Sequence, residues 1–371
     1  MAVRLDGQVA LVTGAGRGLG RAYAIDLAKH GAKIIVNDFG GSVSGEGSND
    51  ETPAQQVVNE IKALGGDAVA NPGDVGSYED CFNMVKQAMD TYGRLDAVVA
   101  NAGILRDLAL HNMAENDWDL VIRVHLKQCY NLIHHAWPVF RQQAYGRVVM
   151  ATSSSGLVGN FGQGNYGAAK AGMYGLMNVA KIEGEKYNIK VNLISPGAQT
   201  RMTENLMGRD PNDAERAQVM APDHVAPAVT YLSSPQCKES GICINASGGR
   251  YSRSAIVLTK GVNYDPHQFK DADWFEANYD KITDLTGSWA PWNMRETRED
   301  HAAAVAAAQS PLVVGWVAER NEAVELVVLG DPEHTVELLA HRQVENGAPQ
   351  PHRAGGQLEV LDGREGAPPG R

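Results

Sequence analysis

The amino-acid sequence predicts an α/β protein with a doubly wound parallel sheet and a C-terminal extension. Three observations point to this fold class: short apolar runs, amphipathic stretches between them, and a glycine cluster after the first run. The runs are QVALVTG, AKIIVND, DAVAN, LDAVVANAG, GRVVMATSS and IKVNLISPG. Each is apolar along nearly its whole length, which is typical of a parallel strand covered on both faces. Strands that alternate with helices in this way build the sheet of a Rossmann fold, with right-handed crossovers.

The stretches between the runs have helical periodicity. RAYAIDLAKH follows the first run, and AQQVVNEIKALGG ends on Gly65 and Gly66, which is a helix stop signal. Residues 40–53, GGSVSGEGSNDETP, predict a mobile surface loop after the second strand.

We predict three regions along the chain. Residues 1–250 form the Rossmann domain, residues 251–309 form a helical extension packed on it, and residues 310–371 form a tail of unassigned role. Within the tail, PLVVGWVAERNEAVELVVLG predicts a hairpin, and DPEHTVELLAHRQ predicts a short helix that starts at Asp331. The Gly- and Pro-rich end, from about residue 346, predicts disorder.

Composition excludes several classes of function. The formal net charge of −11 gives no general attraction for nucleic acid or for anionic membranes. The cysteines, Cys81, Cys129, Cys237 and Cys243, lack C-x-x-C spacing, so we expect reduced thiols and no metal site. The amino-terminal apolar run is too short for a signal peptide or a membrane anchor, and the chain does not end in Ser-Lys-Leu. We therefore expect a cytoplasmic protein without a membrane span.

A glycine cluster between the first strand and the first helix predicts a dinucleotide-binding turn. TGAGRGLG contains Gly14, Gly18 and Gly20, together with Arg17 and Leu19. Such a turn lets the backbone approach a pyrophosphate at the helix N-terminus, although the spacing differs from the common G-x-G-x-x-G.

An acidic residue after the second strand bears on the choice of cofactor. Asp38 follows IIVN, where a carboxylate binds the ribose hydroxyls and repels a 2′-phosphate, which favours NAD over NADP. Arg17 is the residue that could favour the phosphate instead.

Further binding residues follow the third and fourth strands. NPGDVGS places Asp74 and Val75 after the third strand, and ANAG places Asn101, Ala102 and Gly103 after the fourth. The carboxyl ends of parallel strands are where ligands bind in such sheets. We expect the adenosine to lie against these residues.

The segment SSSGLVGNFGQGNYGAAK carries the candidate catalytic residues. Tyr166 and Lys170 are four residues apart, so on a helix they lie on one face, one turn apart. The lysine ammonium can lower the pKa of the phenol toward the operating pH, so that Tyr166 acts as general acid and base. Ser153, at the end of the fifth strand, can hold the substrate oxygen.

Together these motifs resemble the short-chain dehydrogenase/reductase family over about residues 5–250. The resemblance implies that Tyr166 is the general acid/base, that Lys170 lowers its pKa and binds the nicotinamide ribose, and that Ser153 orients the substrate carbonyl. It also implies that Pro196, Gly197 and Thr200 flank the nicotinamide. Most members have asparagine where this chain has His125. His125 is either part of the proton relay or a structural residue.

The chain also contains the motifs NDFGG, NAGILRD, DWDLVIRVHL, GNFGQGNYGAAK and SPGAQTRMT. These resemble one branch of that family, the dehydrogenase domain of peroxisomal multifunctional enzymes. The branch implies an NAD-dependent dehydrogenase for a 3-hydroxyacyl-CoA or a hydroxysteroid-like substrate. The alternatives are an NADPH-dependent 3-oxoacyl-carrier-protein reductase and a nucleotide sensor without catalysis. The segment 198–222 predicts either a mobile lid or an amphipathic surface helix. The family resemblance also implies a homodimer or homotetramer, paired through the helices that carry His125 and Tyr166.

Overall fold

The computed structural model describes residues 2–40, 52–200, 213–265 and 267–309, and the backbone of residues 313–319 and 322–328. Most of the predicted loop at 40–53, residues 201–212 of the predicted lid, the tail helix that starts at Asp331 and the tail end from about residue 346 lie outside the described residues. The chain divides into two compact units, Met1–Val257 and Leu258–Arg371.

The first unit is built on an eight-stranded sheet. Its strands are β1 (Val9–Thr13), β2 (Lys33–Asn37), β3 (Ala68–Asn71), β4 (Ala97–Ala100), β5 (Gly146–Ala151), β6 (Ile189–Gly197), β7 (Cys243–Ser247) and β8 (Arg250–Ser254). Their order is β3-β2-β1-β4-β5-β6-β7-β8. β1 to β7 are parallel, and β8 pairs antiparallel with β7. The strand order reverses beside β1, so the predicted doubly wound fold is confirmed.

Helices connect the parallel strands. In the first unit they are α1 (Gly18–Lys29), α2 (Thr52–Ala63), α3 (Tyr78–Tyr92), α4 (Glu115–Ile122), α5 (Gln128–Gln143), α6 (Ser155–Val158), α7 (Gly164–Gly184), α8 (Ala214–Val219) and α9 (Ala226–Ser233). A π-helical turn, Arg123–Lys127, joins α4 to α5. α2 ends before Gly65, whose φ of +82° is the left-handed conformation that suits a helix stop.

The core consists of two apolar layers, one on each face of the sheet. Successive residues of a strand point to opposite faces, so Ala10 and Val12 belong to one layer and Val9 and Leu11 to the other. All four are buried. This two-sided burial explains why the strands read as continuous apolar runs in the sequence.

The second unit contains α10 (Ala272–Thr283), α11 (Met294–Gln309) and the hairpin of β9 (Val313–Glu319) and β10 (Glu322–Val328). The Asp271 side chain caps α10 by accepting a hydrogen bond from the Trp274 N–H at 2.9 Å. β9 and β10 pair antiparallel, as the sequence predicts for that run. The first unit extends past the predicted boundary at residue 250 because β8 is part of its sheet, and the packing of the extension on that unit stays a prediction.

Candidate active site

The glycine turn between β1 and α1 brings the backbone close to the end of β4. Gly14 and Gly18 have φ of +60° and +52°, in the left-handed region that glycine adopts without strain. A Cβ on Gly14 would lie 2.8 Å from the Ala102 Cα, and one on Gly20 would lie 2.1 Å from the Gly14 carbonyl oxygen. A side chain is therefore excluded at Gly14 and at Gly20.

The N-terminus of α1 has the properties of an anion site. Arg17 precedes the helix and makes no side-chain capping hydrogen bond, and the first turn holds no acidic residue. The first N–H groups of a helix have no partner within the helix, and the dipole makes that end positive. The residues present therefore fit a dinucleotide pyrophosphate at this turn.

Asp38 is held in a defined orientation at the end of β2. Its Oδ2 accepts a hydrogen bond from the Gly16 N–H at 2.8 Å, and its Oδ1 accepts one from the Gly40 N–H at 2.9 Å. A carboxylate oxygen has capacity for more than one hydrogen bond, so both oxygens can still accept from hydroxyl groups.

A cavity of about 480 Å³ runs along the carboxyl ends of the strands. Its lining includes the following residues that the sequence singled out: Gly14, Arg17, Gly18, Leu19, Gly20, Asp38, Asp74, Val75, Asn101, Ala102, Gly103, His125, Tyr166, Lys170, Pro196 and Thr200. The lining of this cavity does not include Ser153 or Gly197. Gly197 instead packs on β7, where a Cβ on it would lie 2.4 Å from the Ser247 Oγ. The structure thus brings together most of the predicted nucleotide and catalytic residues.

Tyr166 and Lys170 lie one turn apart near the start of α7. Lys170 is 3% exposed, and its Nζ donates a hydrogen bond to the Ala151 carbonyl at the end of β5. The Nζ lies 5.3 Å from the centre of the Tyr166 ring. Ser153 follows β5, its hydroxyl donates to the Ser155 Oγ at 3.3 Å, and its interaction with the phenol lowers the pKa of Tyr166. The three side chains therefore form one contiguous group.

Burial dominates the electrostatics of this group. It raises the pKa of Tyr166, whereas the hydrogen bond with Ser153 lowers it and the charge of Asp107 raises it. It also lowers the pKa of Lys170 from 10.5 to about 8. Removal from water disfavours the phenolate and the ammonium alike. The net direction for Tyr166 is opposite to the lowering expected from Lys170, because desolvation is the largest influence on the pKa of this phenol.

His125 lies in the π-helical turn between α4 and α5, where it is almost fully buried. Its Nε2 is 2.8 Å from the Ile104 carbonyl oxygen and 3.1 Å from the Ile104 nitrogen, so either tautomer bonds this residue. Its ring contacts the Tyr166 ring edge-on, with centroids 5.0 Å apart. Burial and the charge of Lys170 hold the pKa of His125 well below its usual range, so the imidazole is neutral.

Two polar residues that sequence reasoning missed support the end of β4. The Thr13 Oγ1 accepts hydrogen bonds from the Asn101 and Ala102 N–H groups at 3.0 and 3.1 Å. Gln128, on α5, donates to the Ala102 carbonyl and accepts from the Thr13 hydroxyl. In the sequence, Thr13 and Gln128 are visible only as polar residues in segments that are otherwise predicted to be buried.

A third missed group joins the loop after β4 to the start of α7. Asn165 is fully buried, and its Nδ2 donates to the carbonyls of Arg106 and Asp117, each at 3.1 Å. Arg106 and Asp117 form an ion pair at 2.7 Å. Because Asn165 immediately precedes Tyr166, this cluster holds the loop against the end of α7 that carries Tyr166.

Sequence similarity identifies the family of this chain. The sequence pattern of the short chain dehydrogenase family matches residues 8–211. The chain belongs to this family. Strands β1 to β6, the glycine turn and the Tyr166–Lys170 pair all lie within the matched region.

Three named relatives are similar to this chain over more than half of its length. The short-chain type dehydrogenase/reductase Rv0148 of Mycobacterium tuberculosis is 45% identical over 282 residues, which cover 76% of this chain and 96% of that protein. Peroxisomal multifunctional enzyme type 2 of Mus musculus is 42% identical over 302 residues, which cover 80% of this chain and 39% of the mouse enzyme. Hydroxyacyl-CoA dehydrogenase ChsB1 of Mycobacterium tuberculosis is 40% identical over 250 residues, which cover 63% of this chain and 75% of that enzyme. The predicted resemblance to this branch is confirmed.

No helix in the described part of the chain has the length and hydropathy needed to cross a bilayer. Across the same described ranges, no group of three or more His, Cys, Asp or Glu side chains is placed to bind a metal ion. The four cysteines are all buried and unpaired.

Proposed function

We propose that this short-chain dehydrogenase interconverts a secondary alcohol and a ketone with NAD, and that Tyr166 is the general acid/base. One observation carries the proposal: Tyr166 and Lys170 line the same cavity as the glycine turn and Asp38. A proton-transfer group and a dinucleotide cradle that share one cavity are what hydride transfer to or from an alcohol carbon requires.

Asp38 supports NAD rather than NADP. Its two oxygens are oriented by the N–H groups of Gly16 and Gly40 and remain able to accept from ribose hydroxyls. A 2′-phosphate at the same place would meet a negative carboxylate. Arg17 also lines the cavity and is the residue that could favour the phosphate, so the two cofactors need to be compared directly.

The roles of the catalytic residues follow from their contacts. Ser153, whose hydroxyl interacts with the phenol, can hold the substrate oxygen beside it. Lys170, fixed by the Ala151 carbonyl, places a positive charge near the Tyr166 ring and stabilises the phenolate during turnover. Bound NAD supplies the hydride acceptor, and Pro196 and Thr200 lie in the cavity wall to flank it.

The contacts of His125 support a positioning role rather than a place in the proton relay. Its imidazole is neutral, bonded to Ile104 and packed edge-on against the Tyr166 ring. These contacts fix the loop after β4 and one side of the phenol at the same time.

A 3-hydroxyacyl-CoA is the substrate class that we favour. The relatives include a hydroxyacyl-CoA dehydrogenase and a peroxisomal multifunctional enzyme. The segments that follow β4 and β5 expose the apolar side chains Leu108, Leu110, Val158 and Phe161. Such a surface suits a substrate with an apolar chain. A hydroxysteroid offers a similar apolar surface and remains the second candidate.

We also propose that the enzyme is a homodimer or homotetramer that pairs through α5 and α7. A groove of about 730 Å³ lies between these helices, lined by apolar side chains that include Trp137 and Leu176. Tyr130 and Val179 line the same groove and are about half exposed. A second copy would remove this apolar surface from water.

The test is oxidation of (3R)- and (3S)-hydroxyacyl-CoA and of 17-beta-estradiol by purified protein with NAD or NADP, and reduction of a 3-oxoacyl-carrier-protein thioester with NADPH. Tyr166→Phe is expected to abolish turnover on the active substrate while NAD still binds. Tyr174→Phe is the matched control, because Tyr174 lies two turns further along α7 and bonds the Cys243 Sγ. Turnover by Tyr166→Phe at the wild-type rate would refute the assignment. Silence of the wild type on every substrate with NAD bound would favour a nucleotide sensor.

A further inference from the structure

A buried glutamine links the π-helical turn to the loop that follows β4. Gln128 is the first residue of α5 and is fully buried. Its Nε2 donates to the main-chain carbonyls of Ala102 and Val124, each at 2.5 Å. Its Oε1 accepts a hydrogen bond from the Thr13 hydroxyl at 3.2 Å. One side chain therefore bonds the end of β1, the loop after β4 and the π-helical turn.

The neighbours of Gln128 determine the orientation of its amide. The Thr13 Oγ1 accepts from the N–H groups of Asn101 and Ala102, so its own proton is left for another acceptor. The Gln128 oxygen, at 3.2 Å, is closer to it than the Val99 carbonyl oxygen, at 3.5 Å. The amide nitrogen then has two N–H groups for its two carbonyl partners. The opposite orientation would place the amide oxygen against both carbonyls, so only one orientation satisfies the whole side chain.

The same loop is held a second time from the π-helical turn. His125 bonds the main chain of Ile104, two residues after Ala102. Gly103 lies between these two contacts, and a Cβ on it would be 2.3 Å from the His125 Cε1. Gln128 and His125, which are three residues apart, therefore hold three consecutive loop residues in place.

We propose that Gln128 is a positioning residue that holds the loop after β4 and the π-helical turn in the shape that bound NAD requires. Ala102, Val124 and His125 all line the cavity, whereas its lining does not include Gln128. A wall that is fixed before the ligand arrives does not have to be ordered on binding, and this raises affinity. The inference rests on the proposed function for its cofactor and on no particular substrate.

The first test compares the NAD affinity of wild type, Gln128→Met and Asn131→Leu. Methionine is a flexible, apolar replacement for glutamine and cannot form its three hydrogen bonds. We expect Gln128→Met to raise the Kd for NAD by about tenfold, because two carbonyls of the cavity wall lose their donor and the wall rearranges. If Gln128→Met does not fold, Gln128→Asn replaces it, because the asparagine amide is too short to reach all three partners.

Asn131→Leu is the matched control. Asn131 lies one turn further along α5 and is also fully buried. In the described part of the chain its side chain bonds none of Thr13, Ala102 and Val124. Both replacements remove buried polar atoms, so urea unfolding is measured for each, and Kd is compared where both variants are folded. An unchanged Kd in Gln128→Met, or a rise of equal size in Asn131→Leu, would overturn the proposal.

Kinetics separate a positioning role from a general loss of activity. Ser153 and Tyr166 come from the end of β5 and from α7, which Gln128 does not bond. We therefore expect Gln128→Met to raise the KM for NAD and to leave the KM for the alcohol unchanged. A rise in the KM for the alcohol alone would contradict the proposal. Tighter binding of NADP than of NAD by wild type would count against the proposed cofactor, and the same comparison of variants would then be made with NADP.

The second test needs neither turnover nor cofactor and therefore separates this inference from the proposed function. Amide hydrogen exchange is followed by mass spectrometry on nucleotide-free protein. Gln128→Met should speed exchange in peptides that cover residues 101–104 and 123–127, while β6 exchanges as slowly as in wild type. Asn131→Leu should leave both peptides unchanged. Unchanged exchange in the two peptides of Gln128→Met, or equally faster exchange throughout the sheet, would refute the positioning role.

Discussion

Replacement of Lys170 by methionine is expected to stabilise the protein at neutral pH while abolishing catalysis. Lys170 is 3% exposed, and burial lowers its pKa from 10.5 to about 8. Its ammonium donates to the Ala151 carbonyl, and no carboxylate takes part in that contact. Methionine fills a similar volume with an uncharged, flexible side chain.

The magnitude follows from the lowered pKa. Each pKa unit is about 1.4 kcal/mol, so a fall from 10.5 to about 8 corresponds to about 3 kcal/mol of unfavourable free energy in the folded state. The variant also leaves the Ala151 carbonyl without its Lys170 donor, which costs about 1 to 3 kcal/mol. The net gain in the free energy of unfolding at neutral pH is therefore smaller than the electrostatic contribution alone. The dependence of this gain on pH identifies its electrostatic part.

The sign of that dependence can be worked out. Between about pH 8 and pH 10.5 the unfolded chain binds the Lys170 proton and the folded chain does not, so wild-type stability rises with pH across this window. The variant lacks this rise. We expect its advantage over wild type to be greatest below about pH 8 and to shrink by about 3 kcal/mol above pH 10.5.

Urea unfolding of both proteins at several pH values measures this difference. Lys62→Met is the matched control, because Lys62 is exposed at the end of α2 and its replacement leaves the buried site intact. The two free energies of unfolding could instead differ by the same amount at every pH from neutral to alkaline. That result would refute the argument that Lys170 is charged and desolvated in the folded state.

Two more predictions concern packing and assembly. A Cβ on Gly103 would lie 2.3 Å from the His125 Cε1, so Gly103→Ala should destabilise the protein to urea by about 1 to 3 kcal/mol and weaken NAD binding. Gly175→Ala on α7, where a Cβ meets nothing within 4 Å, should instead be neutral or stabilising, and equal effects of the two would contradict this reasoning. Val179→Asp places a charge in the groove between α5 and α7 and should lower the mass measured by light scattering, whereas an unchanged mass would argue against pairing through these helices.

The sequence was sufficient for the sheet and for most of the cavity wall. Strands covered on both faces leave continuous apolar runs, and parallel strands end at one edge, so residues that follow different strands must converge there. Asp38 after β2 and Asn101 after β4 converge for this reason. Tyr166 and Lys170 were predictable as a pair because helical spacing alone places them on one face.

Long-range polar pairing could not be predicted in the same way. Asn165 bonds carbonyls 59 and 48 residues away, and Thr13 bonds Gln128 across 115 residues. A buried polar side chain signals that some partner exists, but not which backbone group will be left for it once the strands and loops are packed. The pairing of Asp107 with Gln163 belongs to the same class, because it depends on how the loop after β4 lies on α7.

The sequence also could not show how burial changes the pKa values of Tyr166 and Lys170. These changes help to explain the arrangement of the site. Spacing indicated that Lys170 would favour the phenolate, whereas the fold desolvates both groups, raising the pKa of Tyr166 and lowering that of Lys170. A lysine that served only to fill space between β5 and α7 could be replaced by an apolar residue without this unfavourable free energy. Its position beside the phenol, bonded to a main-chain carbonyl at a strand end, agrees with the proposed function, in which its charge acts on Tyr166 during proton transfer.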